Sequence, residues 1–109
     1  MPVVQWSDSV VIAHLGSDPQ FRDDMDALEE IVARTKVSAV LDFTGVQYLN
    51  SSNISHLLRL RKIMIAQESR LVLCSIENRV WSSFLITGLD KVFEYADSVP
   101  MALATVQLT

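Results

Sequence analysis

The chain has 109 residues, half of them hydrophobic, with 9 basic and 13 acidic side chains and a formal net charge of −4. That length supports one modest core burying roughly two-thirds of the unfolded surface, so residues 1–109 are expected to form a single domain that needs no staples. A lone cysteine, Cys74, excludes an internal disulfide framework and a multi-cysteine zinc site and suits a reducing, cytoplasmic setting; without a basic tract or a long apolar run, neither nucleic acid nor direct membrane insertion is expected, which leaves a protein as partner.

In chain order, Val3 to Trp6 and Val10 to Leu15 read as two strands of a hairpin joined through Ser7-Asp8-Ser9, the second ending at Gly16. Asp18-Pro19 opens a helix in which Phe21, Met25, Leu28 and Val32 recur at spacings of four, three and four. Val37 to Phe43 is almost continuously apolar, as a strand covered on both faces should be, and Thr44-Gly45 bounds it. The polar cluster Asn50-Ser51-Ser52-Asn53 then precedes a helical segment, Ile54 to Ala66, whose start such side chains can cap. Arg70 to Ile76 predicts a further strand, Glu77 to Thr87 a third helix stopped by Gly88, Val92 to Tyr95 a short strand, and Pro100 to Val106 a last helix.

After the hairpin, helices and strands alternate, and crossovers of that length permit only parallel pairing. The expected fold class is α/β: a single four- to five-stranded, mostly parallel sheet with an N-terminal hairpin, covered by about four helices. Loops at the carboxyl ends of the strands would form the functional rim, and residues 50–53 follow such a strand.

A helical projection from Ile54 gathers Leu57, Leu58, Met64 and Ile65 on one side and sends Ser52 and His56 roughly opposite. Ser52 is therefore expected in solvent, in a first turn whose free N–H groups favour an anion by about 0.3–1 kcal/mol. On spacing alone, Ser51 and Ser52 read as helix caps. His56 is expected to be exposed, one turn beyond Ser52 and able to bond a phosphate there. His14 and Cys74, each in an apolar strand, are expected to be packed, and Trp81, Phe84 and Leu85 to face the core. Asp42 is expected to bond neighbouring amides, the acids of the first helix to form a solvated face, and Arg61 to lay its stem along apolar surface.

The run Val40-Leu41-Asp42-Phe43-Thr44-Gly45-Val46-Gln47-Tyr48-Leu49-Asn50-Ser51-Ser52-Asn53-Ile54 resembles the signature of STAS domains, the anti-sigma factor antagonists and their relatives. The likeness continues through Leu57-Leu58 and Gly88-Leu89-Asp90-Lys91-Val92-Phe93. It implies a non-enzymatic protein-binding module in which Ser52, or less readily Ser51, accepts a phosphate from an anti-sigma serine kinase. The unphosphorylated form would capture that kinase, releasing a sigma factor for transcription, with Asn50, Ser51, Ser52, Asn53 and His56 as the partner-binding rim. Where the family pattern has Asp-Ser-Ser-Gly, this chain has Asn50 and Asn53 at the outer positions. Where many members have Gly-x-Leu-Asp, it reads Gly16-Ser17-Asp18-Pro19, so Asp18 is expected to reach the serine only after a shift in register.

Two other functions are consistent with these residues. One is an unmodified adaptor subunit of a lipid-transport or sensory assembly, favoured by Asn50 and Asn53. The other is a small serine hydrolase with Ser52 as nucleophile, His56 as base and Asp42 as orienter, for which the chain lacks a Gly-x-Ser-x-Gly elbow. Neither metal-ligand spacing nor a phosphate loop or dinucleotide fingerprint occurs, so no metal and no cofactor is expected.

Overall fold

A computed structural model describes residues 3–107. Five strands, β1 (Val3–Gln5), β2 (Val10–Gly16), β3 (Ser38–Gly45), β4 (Leu71–Cys74) and β5 (Glu94–Ala96), lie in one sheet in the order of the chain. The β1–β2 pair is antiparallel and the remaining pairs are parallel. Four helices, α1 (Gln20–Arg34), α2 (Ser51–Ala66), α3 (Asn78–Thr87) and α4 (Val99–Gln107), complete the fold. This is the mixed sheet with an N-terminal hairpin and four helices that the alternation of elements predicts.

Strand order advances in one direction, so crossovers of one hand put α1, α2 and α3 on the same face of the sheet. Alternate strand positions, among them Val11, Leu15, Leu41, Phe43 and Leu73, bury themselves there with Phe21, Met25 and Leu28 of α1, Leu57, Leu60 and Met64 of α2, and Phe84 of α3. The intervening positions, Val10, Ile12, Val40, Val72 and Cys74, pack on the other face beneath Ala102 and Val106 of α4. β3 is thus apolar on both faces because it is covered on both. At the carboxyl end of β2 the register shifts after His14, and the backbones come so close that a Cβ on Gly45 would stand 2.8 Å from the Leu15 carbonyl oxygen. α3 ends on Gly88 at φ 77°, the left-handed conformation in which a side chain would be strained.

Several expectations need correction. Val92 and Phe93 are not in a strand: a 3-10 turn, Leu89–Lys91, leads into them and β5 starts at Glu94. Leu58 and Ile65 are exposed, because the face of α2 that meets the sheet runs through Asn53, Leu57, Leu60 and Met64 and leaves those two on its flank. Leu85 is exposed as well, while its neighbour Phe84 is fully buried. His14 is not packed: α4 covers only part of its face of the sheet, and the His14 side chain remains 48% exposed at the rim.

Candidate functional site

The rim at the carboxyl ends of β2 and β3 is built around the first turn of α2. Asn50, in extended conformation, is the N-cap: its side-chain oxygen accepts the Asn53 N–H at 2.8 Å, and the Asn53 side-chain oxygen accepts the Asn50 N–H at 3.1 Å. This reciprocal box satisfies two otherwise orphaned donors and locks the start of the helix. Both asparagines then spend their amide groups on one acceptor, Nδ2 of Asn50 donating to Oδ2 of Asp18 at 2.8 Å and Nδ2 of Asn53 to the same oxygen at 3.1 Å. The Asn50 amide chiefly, helped by Asn53 and the nearby Arg22, outweighs desolvation and holds the Asp18 carboxyl below the usual carboxylate range. Two further bonds tie the loops together: Gln47 N–H to Ser17 Oγ at 2.9 Å, and the Tyr48 hydroxyl to the Asp18 carbonyl at 3.4 Å. Asp18 reaches the helix start directly from the loop after β2.

Ser51 and Ser52 occupy the first two positions of the helix and both are exposed. Neither is the cap, contrary to the reading from spacing; Asn50 takes that role, since it is the last extended residue and its oxygen reaches the third N–H of the helix. The Ser52 hydroxyl therefore stands at the mouth of α2 with the N–H groups of the first turn and the positive end of the helix dipole beside it.

His56 is placed differently from the expectation. Its side chain is only 11% exposed, because α1 lies along the flank of α2 and buries that side as the sheet buries another. Arg59 Nη2 donates to His56 Nδ1 at 3.0 Å, and the same guanidinium grips Glu29 through Nε at 2.6 Å and Nη2 at 3.0 Å, with Asp26 3.9 Å away. Donor atoms of Asp26, Glu29 and His56 lie within 4.8 Å of one another, a grouping invisible in the sequence because it spans two helices. Arg59 supplies the positive charge that these groups call for, so the cluster reads as a helix–helix clasp.

Asp42 projects from β3 toward the face covered by α4, as Val40 and Cys74 do, whereas His56 sits on the opposite face. It accepts from Thr44 N–H at 3.1 Å, from the Thr44 hydroxyl at 2.6 Å, and pairs with His14 Nδ1 at 2.7 Å. Burial alone would raise its carboxyl pKa; the bonds from Thr44 and His14 together overcome this and leave it lowered. The sheet therefore separates Asp42 from His56, and the Ser52–His56–Asp42 triad is not assembled. Cys74, next to Asp42 in register, is buried, and that burial pushes its thiol up to about 11, out of the nucleophilic range.

The family model described as STAS domain matches residues 16–102 of this chain. The chain belongs to the STAS domain family. Solved structures agree in fold: an anti-sigma-factor antagonist (STAS) domain protein from Planctomyces limnophilus superposes with a TM-score of 0.84 at 17% identity, covering 96% of each chain. The anti-sigma factor antagonist SpoIIAA in its unphosphorylated form gives a TM-score of 0.81 at 16% identity, covering 96% of this chain and 94% of that one. The Bacillus cell fate determinant SpoIIAA in its phosphorylated form gives 0.74 at 15% identity, covering 95% and 96%. Comparison with curated proteins returns no match.

Within this STAS domain, the two asparagines that depart from the family's sequence pattern have one shared explanation. A carboxylate at position 50 would face the Asp18 carboxylate at hydrogen-bond distance, and a glycine at 53 would leave Asp18 without its second amide. Asn50, Asn53 and Asp18 form one unit, and this unit, rather than any single motif position, shapes the ground beside Ser52. Among the described residues no helix is long and apolar enough to cross a membrane.

Proposed function

We propose that this STAS domain is a cytoplasmic, non-enzymatic binding module that docks an anti-sigma factor through the rim around Ser52, and that phosphorylation of Ser52 by such a partner's serine-kinase activity releases it. The observation that carries this reading is the Ser52 hydroxyl: exposed, on the second residue of α2, and spared from capping because Asn50 does that work. Phosphate adds about −1.5 to −2 charges, and at a helix N-terminus it meets free N–H groups and a favourable dipole, so the domain itself keeps its fold. A partner packed over the same spot meets a bulky anion in place of a hydroxyl. A desolvation and repulsion cost of about 3 kcal/mol corresponds to roughly a hundredfold in affinity, enough to reverse the choice of partner. Incubation with nucleoside triphosphate and the cognate anti-sigma kinase should shift the protein on a phosphate-affinity gel. Ser52→Ala should abolish the shift and Ser51→Ala should leave it; a shift that survives Ser52→Ala refutes the assignment.

One observation supports the second reading, an unmodified adaptor in a lipid-transport or sensory assembly. The Asp18 carboxylate already sits by the start of α2, two residues from Ser52 through Asn50, and a phosphate there would add to an existing negative charge. The same gel separates the two readings: an adaptor shows no shift with any kinase of its own cell.

A further inference from the structure

Four loops share the rim, and those after β4 and β5 enclose a feature that the Ser52 site does not use. A cleft of about 270 Å³, open to solvent, is lined by Ile76, Trp81, Tyr95, Ala96 and Asp97. Its walls are aromatic: the Trp81 and Tyr95 rings stand 4.8 Å apart with their planes at 88°, forming a corner, and buried Phe84 backs both at 5.9 Å and 5.6 Å. The corner is held rigid at its base, where the Tyr95 hydroxyl donates to the Leu89 carbonyl at 2.7 Å. One carboxylate, Asp97, stands in the lining, and among the described residues it forms no ion pair. The helix's own cation, Arg79, turns toward Glu77 at 3.7 Å with its side chain in solvent.

We propose that this cleft receives an arginine side chain from the docking protein, its guanidinium lying against Trp81 and Tyr95 and its charge facing Asp97. Aromatic faces carry negative quadrupole charge, and a guanidinium is the planar, weakly hydrated cation that both stacks on rings and bonds a carboxylate. The volume falls below the about 300–1,000 Å³ of small-molecule sites and suits the end of one long side chain. The chain's net charge of −4 favours a basic partner surface over an acidic one. Because the cleft opens at the carboxyl ends of β4 and β5, beside the end of β3 from which α2 departs, a protein seated over Ser52 can reach it. The inference thus rests on the rim-docking reading and adds an anchor to it.

The test uses the protein without its partner. The amide and indole resonances of the ¹⁵N-labelled chain are followed while N-acetyl-arginine methylamide is added to about 100 mM, the range in which contacts of cation–π strength are read. The neutral N-acetyl-norleucine methylamide at matched ionic strength is the control. The Trp81 indole and the Tyr95, Ala96 and Asp97 amides should move saturably with the arginine probe alone, while the indole of Trp6, beyond the opposite edge strand, stays still. Asp97→Asn, an exposed and nearly isosteric change, should weaken the probe about two- to fivefold. A still Trp81, equal movement with the norleucine probe, or undiminished affinity in Asp97→Asn would each overturn the proposal. A still Trp81 in a protein whose capture of its partner depends on Ser52 removes only the arginine pocket; a saturable Trp81 in a protein indifferent to Ser52 removes only the switch.

Discussion

The two halves of the rim are built on opposite principles. At the start of α2, Asn50, Asn53 and Asp18 form a polar unit in which each amide has an assigned partner, only Asp18 Oδ1 being buried without one among the described residues, and an exposed serine stands beside it. At the start of α3, Glu77 makes no side-chain cap and the nearby surface is an aromatic corner with a carboxylate at its edge that forms no ion pair among the described residues. Polar surface that is already satisfied contributes little binding energy, whereas a half-buried aromatic pocket can anchor a partner. On the proposed function this contrast becomes a division of labour: the α3 half would hold the partner, and the α2 half would decide whether it can stay.

The largest expected effect is on docking. Ser52→Asp should weaken the anti-sigma partner about a hundredfold in a titration calorimetry comparison with Ser52→Ala, which should bind as tightly as the unmodified chain. Equal affinities for the two variants would dissolve the difference between the halves.

Next comes the integrity of the α2 start. Asn53 is buried, and Asn53→Ala removes its amide from both Asn50 and Asp18, so chemical denaturation should read a loss of about 2 kcal/mol. Asp18→Asn keeps the shape and removes the charge, and it should cost stability at neutral pH, with the gap to the parent closing in acid. A carboxyl whose folded pKa is depressed contributes stability above its unfolded value, about 3.9, and that contribution fades as pH falls through the folded value. Stability measured across the acid range should therefore fall less steeply for Asp18→Asn than for the parent. Asp42, also depressed, should behave alike when changed to Asn.

A smaller effect of opposite sign is expected at Asp24. Burial raises its carboxyl pKa, only partly offset by a bond from Gln20, and its Oδ2 is buried without a hydrogen-bond partner among the described residues. Its contribution is greatest below the unfolded pKa and is lost as pH rises through the raised folded value, so near neutrality the charge is a burden. Asp24→Asn should raise the thermal midpoint at pH 7 by a few degrees, about 1 kcal/mol. An unchanged midpoint would mean that solvent reaches the carboxylate.

The elements of this fold were legible because their signals are local. Phe21, Met25, Leu28 and Val32 mark the buried stripe of α1 by spacing alone, and all four are fully buried. Strand β3 declares itself by a continuous apolar run, and Gly88 by the stop it makes. What spacing could not show is which flank of a helix meets a neighbour. A projection of α2 gives it one buried side, yet α1 also covers His56 while Leu58 and Ile65 are left in water. His14 follows the same logic in reverse, since an apolar strand does not reveal that α4 stops short of its rim. The polar unit at the candidate site joins residues more than thirty positions apart, and only the fold brings the Asp18 loop against Asn50 and Asn53. The aromatic corner was half legible: Trp81 and Phe84 share a helix face, but Tyr95 arrives from β5.

The central claim is that a phosphate on Ser52 is harmless to the domain and hostile to its partner. The direct measurement takes one preparation, phosphorylated and then dephosphorylated, and records its thermal midpoint and its affinity for the anti-sigma partner in each state. The midpoints should lie within a few degrees of each other and the affinities about a hundredfold apart. A phosphorylated domain that melts far earlier, or binds its partner equally well, contradicts the claim.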